Sequence, residues 1–110
     1  KKASVLILGI TFKENCPDIR NTKVIDLINS LEDYGINITV YDPLADKEEV
    51  KKKYNLKFTS LIPNRKFDSI ILAVAHNGFL KIDLDKLSKS NSVIYDIKNF
   101  FNANKIDKSL

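Results

Sequence analysis

Cysteine and histidine are almost absent from this chain, which has one of each, Cys16 and His76, in 110 residues. A lone cysteine excludes an internal disulfide framework, and with a single histidine it argues against a Cys/His zinc site. Glycine and proline are also scarce, at three residues each, which leaves no room for a low-complexity or collagen-like segment. We therefore expect neither a disulfide nor a bound metal.

Long apolar runs are missing as well. No stretch approaches the roughly 18 apolar residues that cross a bilayer. The first apolar segment follows Lys1 and Lys2 directly, without the length or cleavage pattern of a signal peptide. We expect no membrane partner and a cytoplasmic location. The composition, 44% apolar and 29% charged, is that of a globular protein, and the length fits one domain.

Positive charge is in slight excess, with a net charge of +4, which would favour an anionic partner. The lysines are scattered, however, and the only run is Lys51-Lys52-Lys53, in a segment of helical pattern. A surface that tracks phosphates usually interleaves basic and aromatic residues. We interpret the run as a solvated helix face and expect no nucleic-acid partner.

Apolar segments of strand length alternate with amphipathic segments of helix length. The predicted strands are short apolar runs bounded by turn residues, at 5–8, 36–41, 56–58, 69–74 and 92–96. Two predicted helices begin at the capping residues Asn21 and Asp46, and the first ends at Gly35. A third helical stretch, between the last two predicted strands, contains Ile82, Leu84 and Leu87. This alternation predicts right-handed crossovers, and hence an α/β fold: a doubly wound, Rossmann-like, three-layer parallel sheet in a single domain.

Ligands of such sheets bind beyond the carboxyl ends of the strands, where the winding direction reverses. The candidate loops follow the first, fourth and fifth predicted strands, at residues 10–21, 75–79 and 97–101. The first loop has no second or third glycine, so it lacks both the dinucleotide fingerprint and the P-loop. We expect no NAD binding of the Rossmann kind by this domain alone.

The first loop does carry a compact polar set. Lys13 is a mobile point charge suited to phosphate, Phe12 is an aromatic surface, and Asp18 and Arg20 stand two residues apart. Chemistry alone leaves two interpretations open. The loop is either a ligand site or an ordinary surface loop with a local Asp18–Arg20 ion pair and a solvated Lys13.

Residues 9–23, GITFKENCPDIRNTK, resemble the opening of the UDP-binding domain of the UDP-glucose/GDP-mannose dehydrogenase family. They look most like the branch that oxidises UDP-N-acetylhexosamines for capsule and O-antigen sugars. Three weaker motifs follow in the family's order, VYDP at 40–43, LAVAH at 72–76 and YDIKN at 95–99. The resemblance implies that residues 1–110 are the C-terminal UDP-sugar-binding domain of an NAD-dependent UDP-sugar 6-dehydrogenase, with the NAD-binding and central domains outside this chain.

The resemblance also implies roles for individual residues. Phe12 and Lys13 would contact the UDP-sugar, with Lys13 at the diphosphate, and Arg20 would reach the NAD cofactor held mainly by the missing N-terminal domain. Asp18 would brace the loop. Lys98 stands where relatives often present an arginine to the nucleotide-sugar, and the exchange keeps the charge but removes the bidentate geometry. The parent enzyme would oxidise a UDP-hexose or UDP-N-acetylhexosamine to the uronic acid, as a homodimer or larger.

No catalytic residue is expected in this fragment. The family's covalent cysteine belongs to a segment outside the chain, so Cys16 is interpreted as a packed or idle loop thiol. His76 ends a predicted strand, either as a general base or as a hydrogen-bonded residue that shapes the substrate loop with Asn77; we favour the second. For Asp42-Pro43 we favour a turn over a groove-lining pair.

Two other classes of function compete with nucleotide-sugar binding. A phospho-receiver-like module would need an acidic pair at the end of the first strand, where this chain has Gly9-Ile10-Thr11. A small α/β interaction module would bind no small molecule, and replacement of Lys13 would then change no ligand binding.

Overall fold

The computed structural model describes residues 3–96 and 108–109, and its core is a six-stranded parallel sheet. The strands are β1 (Ser4–Leu8), β2 (Asn37–Tyr41), β3 (Phe58–Thr59), β4 (Phe67–Leu72), β5 (Ser88–Asp96) and β6 (Lys108–Ser109). The helices are α1 (Thr22–Asp33), α2 (Lys47–Lys53) and α3 (Leu84–Leu87), with a 3-10 helix at Asn77–Lys81. The strand order is β3-β2-β1-β4-β5-β6, that of the doubly wound dinucleotide-binding folds.

Alternating side chains of β1 divide the core into two clusters, because successive residues of a strand point to opposite faces. On one face Val5 and Ile7 pack in a cluster with Val24 and Ile28 of α1 and Val50 of α2. On the other face Leu6 and Leu8 pack in a cluster completed by Phe79, Leu84, Leu87 and residues of β4 and β5. The sheet is therefore covered on both faces, and the predicted α/β fold is confirmed.

The helix ends lie where their capping residues predicted them. The Asn21 side chain accepts a hydrogen bond from the Val24 amide at 3.2 Å, and α1 ends at Asp33 with Tyr34 as its C-cap, before Gly35 with φ +77°. The Asp46 carboxylate accepts from the Glu48 amide at 2.8 Å and opens α2. The lysine run at 51–53 forms the exposed last turn of α2, where positive charge suits the helix dipole.

The later strands differ from the prediction in their bounds. β4 spans 67–72 rather than 69–74, because the amides of Ala73 and Val74 both donate to the Leu8 carbonyl, at 3.0 and 3.2 Å, and turn the chain out of the ladder. β3 spans 58–59 rather than 56–58, and β5 begins at Ser88 rather than Ser92. The expected helical stretch between β4 and β5 consists of the 3-10 helix and the single turn α3. β6 was not predicted.

Candidate functional site

The carboxyl ends of β1, β2 and β4 lie side by side, since β1 pairs with both neighbours in parallel. The loop after β1, residues 9–21, rises from this edge and leads into α1. β1 and β4 flank the point where the strand order reverses, which is where ligands bind in folds of this kind. The loop predicted to carry the site therefore lies at this point of the sheet in the structure.

Gly9 allows the loop to leave the sheet. Its φ is +99°, a conformation that residues with a side chain rarely adopt, and a Cβ there would lie 2.6 Å from the Val74 Cβ and 2.9 Å from the Val74 nitrogen. The chain after β4 thus passes directly over Gly9. Glycine at this position is required by two separate constraints, backbone conformation and space.

Asp42, at the end of β2, is a buried acceptor for the start of the loop. Its Oδ2 accepts from the amides of Ile10 and Thr11 at 2.8 and 3.3 Å, and its Oδ1 accepts from the Leu44 amide at 2.9 Å. Its side chain is fully buried. Burial alone would raise the pKa of Asp42, but the hydrogen bonds from His76 and from the Ile10 and Leu44 amides leave that pKa below its usual 3.8.

The favoured turn at Asp42-Pro43 is therefore correct but incomplete. The hydrogen bond from the Leu44 amide to Asp42 closes the turn. The hydrogen bonds from the Ile10 and Thr11 amides join the loop after β1 to the same carboxylate. The groove-lining alternative is wrong, since Asp42 is 0% exposed.

His76, at the end of the chain segment after β4, holds the middle of the loop. Its Nε2 lies 3.0 Å from both Asp42 Oδ2 and Thr11 Oγ1, and its Nδ1 accepts from the Asn15 amide at 2.8 Å. An amide N–H can only donate, so Nδ1 carries no proton and Nε2–H is the tautomer assigned by this network. The ring is 1% exposed. This is the hydrogen-bonded arrangement favoured from the sequence rather than that of a base open to substrate.

The far half of the loop is tied down by three further hydrogen bonds. The Asn21 Nδ2 donates to the Thr11 carbonyl at 2.6 Å, and the Phe12 amide donates to the Asp18 carbonyl at 2.5 Å. From α2, the Tyr54 hydroxyl donates to the Ile19 carbonyl at 2.8 Å. The loop is long but fixed along its length, which is how a ligand-binding loop keeps its side chains in place without ligand.

The outer side of the loop borders a cleft of about 560 Å³ between the loop, α1 and the segment after β4. The lining combines cationic, amide, acidic and apolar side chains, from Phe12, Lys13, Glu14, Arg20, Asn21, Lys23, Val24, Leu27, Ala73 and Val74. Phe12 is 61% exposed beside it. Within residues 3–96 and 108–109, no hydrogen bond or ion pair engages the Lys13 ammonium. A lining of this size that combines cationic and apolar side chains suits a nucleotide.

Asp18 and Arg20 form a bidentate ion pair on the same loop. The Arg20 Nη2 lies 2.6 Å from Asp18 Oδ2, and Arg20 Nε donates to both carboxylate oxygens at 3.0 and 3.1 Å. These bonds lower the pKa of Asp18 to about 2. The Arg20 side chain is still 76% exposed, and it borders both the cleft and a second cavity of about 620 Å³ beside α2.

Three of the four residues expected to bind ligand or cofactor border one cleft, namely Phe12, Lys13 and Arg20. Lys98 lies outside the described residues. Cys16 is a half-buried free thiol that borders the second cavity and not the cleft. Within the described part of the chain, no cluster of His, Cys, Asp and Glu has the geometry of a metal site.

Sequence reasoning missed Asp42 as a loop anchor and Lys23 and Asn21 as cleft residues. The signal for Asp42 was available: the end of β2 adjoins that of β1, but only the loops after strands one, four and five were considered. Lys23 is the second residue of a helix already predicted, so its position beside the loop follows from the cap at Asn21.

The fold and this cleft define a class of protein, parallel α/β domains with a cleft at the topological switch point and no glycine-rich phosphate loop. Residues 6–103 match the family described as UDP-glucose/GDP-mannose dehydrogenase family, UDP binding domain. The chain belongs to this family, and the resemblance found in its motifs is confirmed.

Known relatives agree with this membership. The chain is 41% identical over 111 residues to a UDP-N-acetyl-D-glucosamine 6-dehydrogenase of Salmonella typhi, covering 98% of the chain and 26% of that protein. It is 42% identical over 109 residues to Protein CapL of Staphylococcus aureus, covering 97% and 26%. The fold matches a UDP-glucose dehydrogenase structure from Pyrobaculum islandicum with a TM-score of 0.74 at 19% identity, over 99% of the chain and 25% of that structure.

The chain thus spans about a quarter of the length of the curated relatives it matches. In the part that the structure describes, no helix has the length and apolar character needed to cross a membrane.

Proposed function

We propose that this chain binds the UDP half of a UDP-sugar for an NAD-dependent nucleotide-sugar 6-dehydrogenase, which oxidises a UDP-hexose or UDP-N-acetylhexosamine to the uronic acid. The observation that carries the proposal is the cleft in which Lys13 and Phe12 lie beside the start of α1. The relatives named as UDP-N-acetyl-D-glucosamine 6-dehydrogenases favour the N-acetylhexosamine as substrate.

The lining of the cleft supports a diphosphate ligand. Lys13 and Lys23 are exposed cations with freely rotating ammonium groups, and neither has an acidic partner among the described residues. A flexible point charge suits a phosphate group whose oxygens are approached from several directions. Phe12 offers a flat apolar surface to the base or the sugar. In this proposal Lys13 contacts the diphosphate and Phe12 the adjoining part of the nucleotide-sugar.

Arg20 suits a contact with the cofactor. Its guanidinium is exposed yet oriented by Asp18, so it can add a contact to an anionic group brought in from outside the chain. NAD, when bound, accepts the hydride, and most of its binding site would be supplied by the part of the enzyme beyond this chain. Lys98 is proposed as a further contact to the nucleotide-sugar from its place in the YDIKN motif.

Binding of the UDP half would serve the reaction without taking part in it. Interactions with a non-reacting part of the substrate hold its reacting alcohol in place at groups supplied elsewhere. We therefore expect the isolated chain to bind UDP compounds and to catalyse no oxidation. The cytoplasmic location, the homodimer or larger assembly and the role in capsule or other polysaccharide synthesis stay predictions for the parent enzyme.

Calorimetric titration of the purified chain with UDP, UDP-N-acetylglucosamine and NAD tests the proposal. We expect UDP compounds to bind, even at millimolar strength, NAD alone to show no binding, and Lys13→Ala to weaken UDP binding at least about tenfold, as loss of one charged hydrogen bond predicts. Lys57→Ala is the matched control. Lys57 is exposed and precedes β3, at the amino end of that strand, whereas the cleft lies at the carboxyl ends of the strands. Equal affinity of the two variants, or binding of no UDP compound, would favour an interaction module.

A further inference from the structure

We propose that His76 is a positioning residue for nucleotide-sugar binding, which fixes the loop backbone from inside so that Phe12 and Lys13 face the cleft. The inference rests on the proposed function, because it takes the UDP compound as the ligand of that cleft. It assigns to His76 no contact with ligand and no proton transfer. Its action is through the backbone of the loop.

The turn at Asn15 is the first link. Asn15 has a φ of 61°, in the left-handed region that few residues other than glycine and asparagine adopt. This conformation directs its amide inward to His76 Nδ1 at 2.8 Å, while its Oδ1 accepts from the Asn77 amide at 2.9 Å. The loop after β1 is thereby bonded to two consecutive residues of the chain after β4, His76 and Asn77.

The other ring nitrogen supplies the second link. Nε2 lies 3.0 Å from Thr11 Oγ1, and that hydroxyl donates to the Lys13 carbonyl at 3.1 Å. One imidazole thus holds the loop on both sides of Lys13, at Thr11 and at Asn15. With its carbonyl held on the inner side, Lys13 extends its side chain outward, where it borders the cleft.

The ring itself has little freedom to move. Asp42 Oδ2 accepts from Nε2, and the ring of Phe79 packs against the imidazole with centroids 5.3 Å apart and planes at 47°. His76 is 1% exposed and Phe79 is fully buried. A substitution that removes the Nδ1 acceptor leaves the Asn15 amide without its present partner, and this exposed turn then loses the bond that fixes it. Movement of Asn15 shifts Lys13, two residues away.

Two substitutions of His76, by asparagine and by glutamine, separate the roles of the two ring nitrogens. In His76→Asn the amide oxygen can occupy the place of Nδ1 and still accept from the Asn15 amide, but nothing reaches Asp42. In His76→Gln the longer side chain can present its amide nitrogen near the place of Nε2 and still donate to Asp42, but no acceptor remains for Asn15. The proposal assigns the larger loss of UDP affinity to His76→Gln, with partial rescue in His76→Asn.

The experiment titrates the 110-residue chain and both variants with UDP, at a temperature well below each unfolding midpoint. We expect an affinity loss of at least about tenfold in His76→Gln and of less than about threefold in His76→Asn, whichever variant has the lower midpoint. Amide hydrogen exchange in His76→Gln should quicken at Asn15 and stay unchanged in β1. Equal UDP affinity in the wild type and both folded variants would overturn the inference, as would losses that follow the unfolding midpoints.

A measurement on the wild-type chain covers the case in which a variant does not fold. Nitrogen-15 NMR of the imidazole should show the proton on Nε2 and a lone pair on Nδ1, and UDP should increase the protection of the Asn15 amide. A proton on Nδ1, or protection unchanged by bound UDP, would contradict the inference. Failure of the wild-type chain to bind UDP would instead overturn the proposed function, so the two failures are distinguishable.

Discussion

The inner and outer sides of the loop at residues 9–21 differ in almost every physical property. On the inner side, Thr11 is fully buried and is bonded to Asp42 and His76. On the outer side, Phe12 is 61% exposed and Lys13 extends into the cleft without a partner among the described residues. The two sides alternate along a single short segment.

This difference separates the support of the site from its ligand contacts. The inner groups are buried donors and acceptors, each of which would cost free energy if left without a partner, so they favour one loop conformation. The outer side chains are exposed to solvent, so they contribute little to the stability of the loop in the absence of ligand. Substitutions on the inner side should therefore change stability, and substitutions on the outer side should change binding alone.

Removal of the Asp42 carboxylate should give the largest effect. Asp42→Ala leaves three backbone amides and the His76 ring without their acceptor, and we expect the free energy of unfolding to fall by about 3–5 kcal/mol in urea titrations. Asp26→Ala, on the exposed side of α1, is the control and should change it by less than about 0.5 kcal/mol. Similar losses in both variants would break the contrast between buried and exposed groups.

Gly9→Ala should rank second. The new methyl group would meet the Val74 Cβ at 2.6 Å in a backbone conformation of φ +99°, so we expect a loss of about 2–3 kcal/mol. Gly78→Ala is the matched control, since nothing lies within 4 Å of its Cβ position and its φ is not positive. It should be neutral or slightly stabilising in the same urea titrations. A tolerated alanine at residue 9 would show that the chain after β4 does not fix the loop exit.

Acid should weaken the inner side of the loop through protonation of Asp42. The pKa of Asp42 is lower in the folded chain than its usual 3.8, so its contribution to stability is complete above that value and is lost as the pH falls through the folded-state pKa. Asp18 and Asp68 also have lowered pKa values and add to the same decline. We expect the free energy of unfolding to depend less on pH below about 4 in Asp42→Asn than in the wild type. Parallel curves would contradict this assignment.

Loss of the Tyr54 hydroxyl should have a smaller effect, because the Ile19 carbonyl loses one hydrogen bond and the ring packing is kept. We expect Tyr54→Phe to destabilise the chain by about 1 kcal/mol in urea titrations. Tyr34→Phe is the control, on a ring that is 85% exposed, and should be close to neutral. A neutral Tyr54→Phe would place the support of the loop entirely at its Asp42 and His76 end.

On the outer side, Phe12→Ala should leave the free energy of unfolding within about 0.5 kcal/mol of the wild type. UDP affinity should nevertheless fall about five- to tenfold or more, as loss of an aromatic surface against a nucleotide predicts. Leu61→Ala removes another apolar side chain, 77% exposed, and should change neither quantity. A loss of stability without a loss of binding in Phe12→Ala would reverse the assignment of the two sides.

Local signals predicted much of the fold correctly. The caps at Asn21 and Asp46 and the stop at Gly35 depend on hydrogen bonds and backbone conformations within a few residues, and the structure has all three. The predicted end of β4 was two residues too far along the chain, because Ala73 and Val74 are apolar and continue the strand pattern. Their amides instead bond to Leu8, a residue far away in the chain that no local pattern includes.

The candidate site was predicted in the same uneven way. The sequence placed Phe12, Lys13 and Arg20 on one loop and placed that loop at the end of β1, and the structure brings all three to one cleft. The role of Asp42 was missed, and His76 was assigned only a general shaping of the loop. The hydrogen bonds that join them to the loop and to each other span 31 to 65 residues of chain, a separation at which spacing carries no information.

By itself, the sequence determined the order of the first five strands and of the helices along the chain, the two-sided burial of β1 and the chemical types of side chain in the loop. These features depend on periodicity, capping and side-chain chemistry, all of which act over short stretches of chain. Only the tertiary structure decided which side of the loop is buried, because that depends on the parallel pairing that places Asp42 and His76 beneath it. Burial then makes their hydrogen bonds costly to break, and this cost holds the exposed Lys13 toward the cleft.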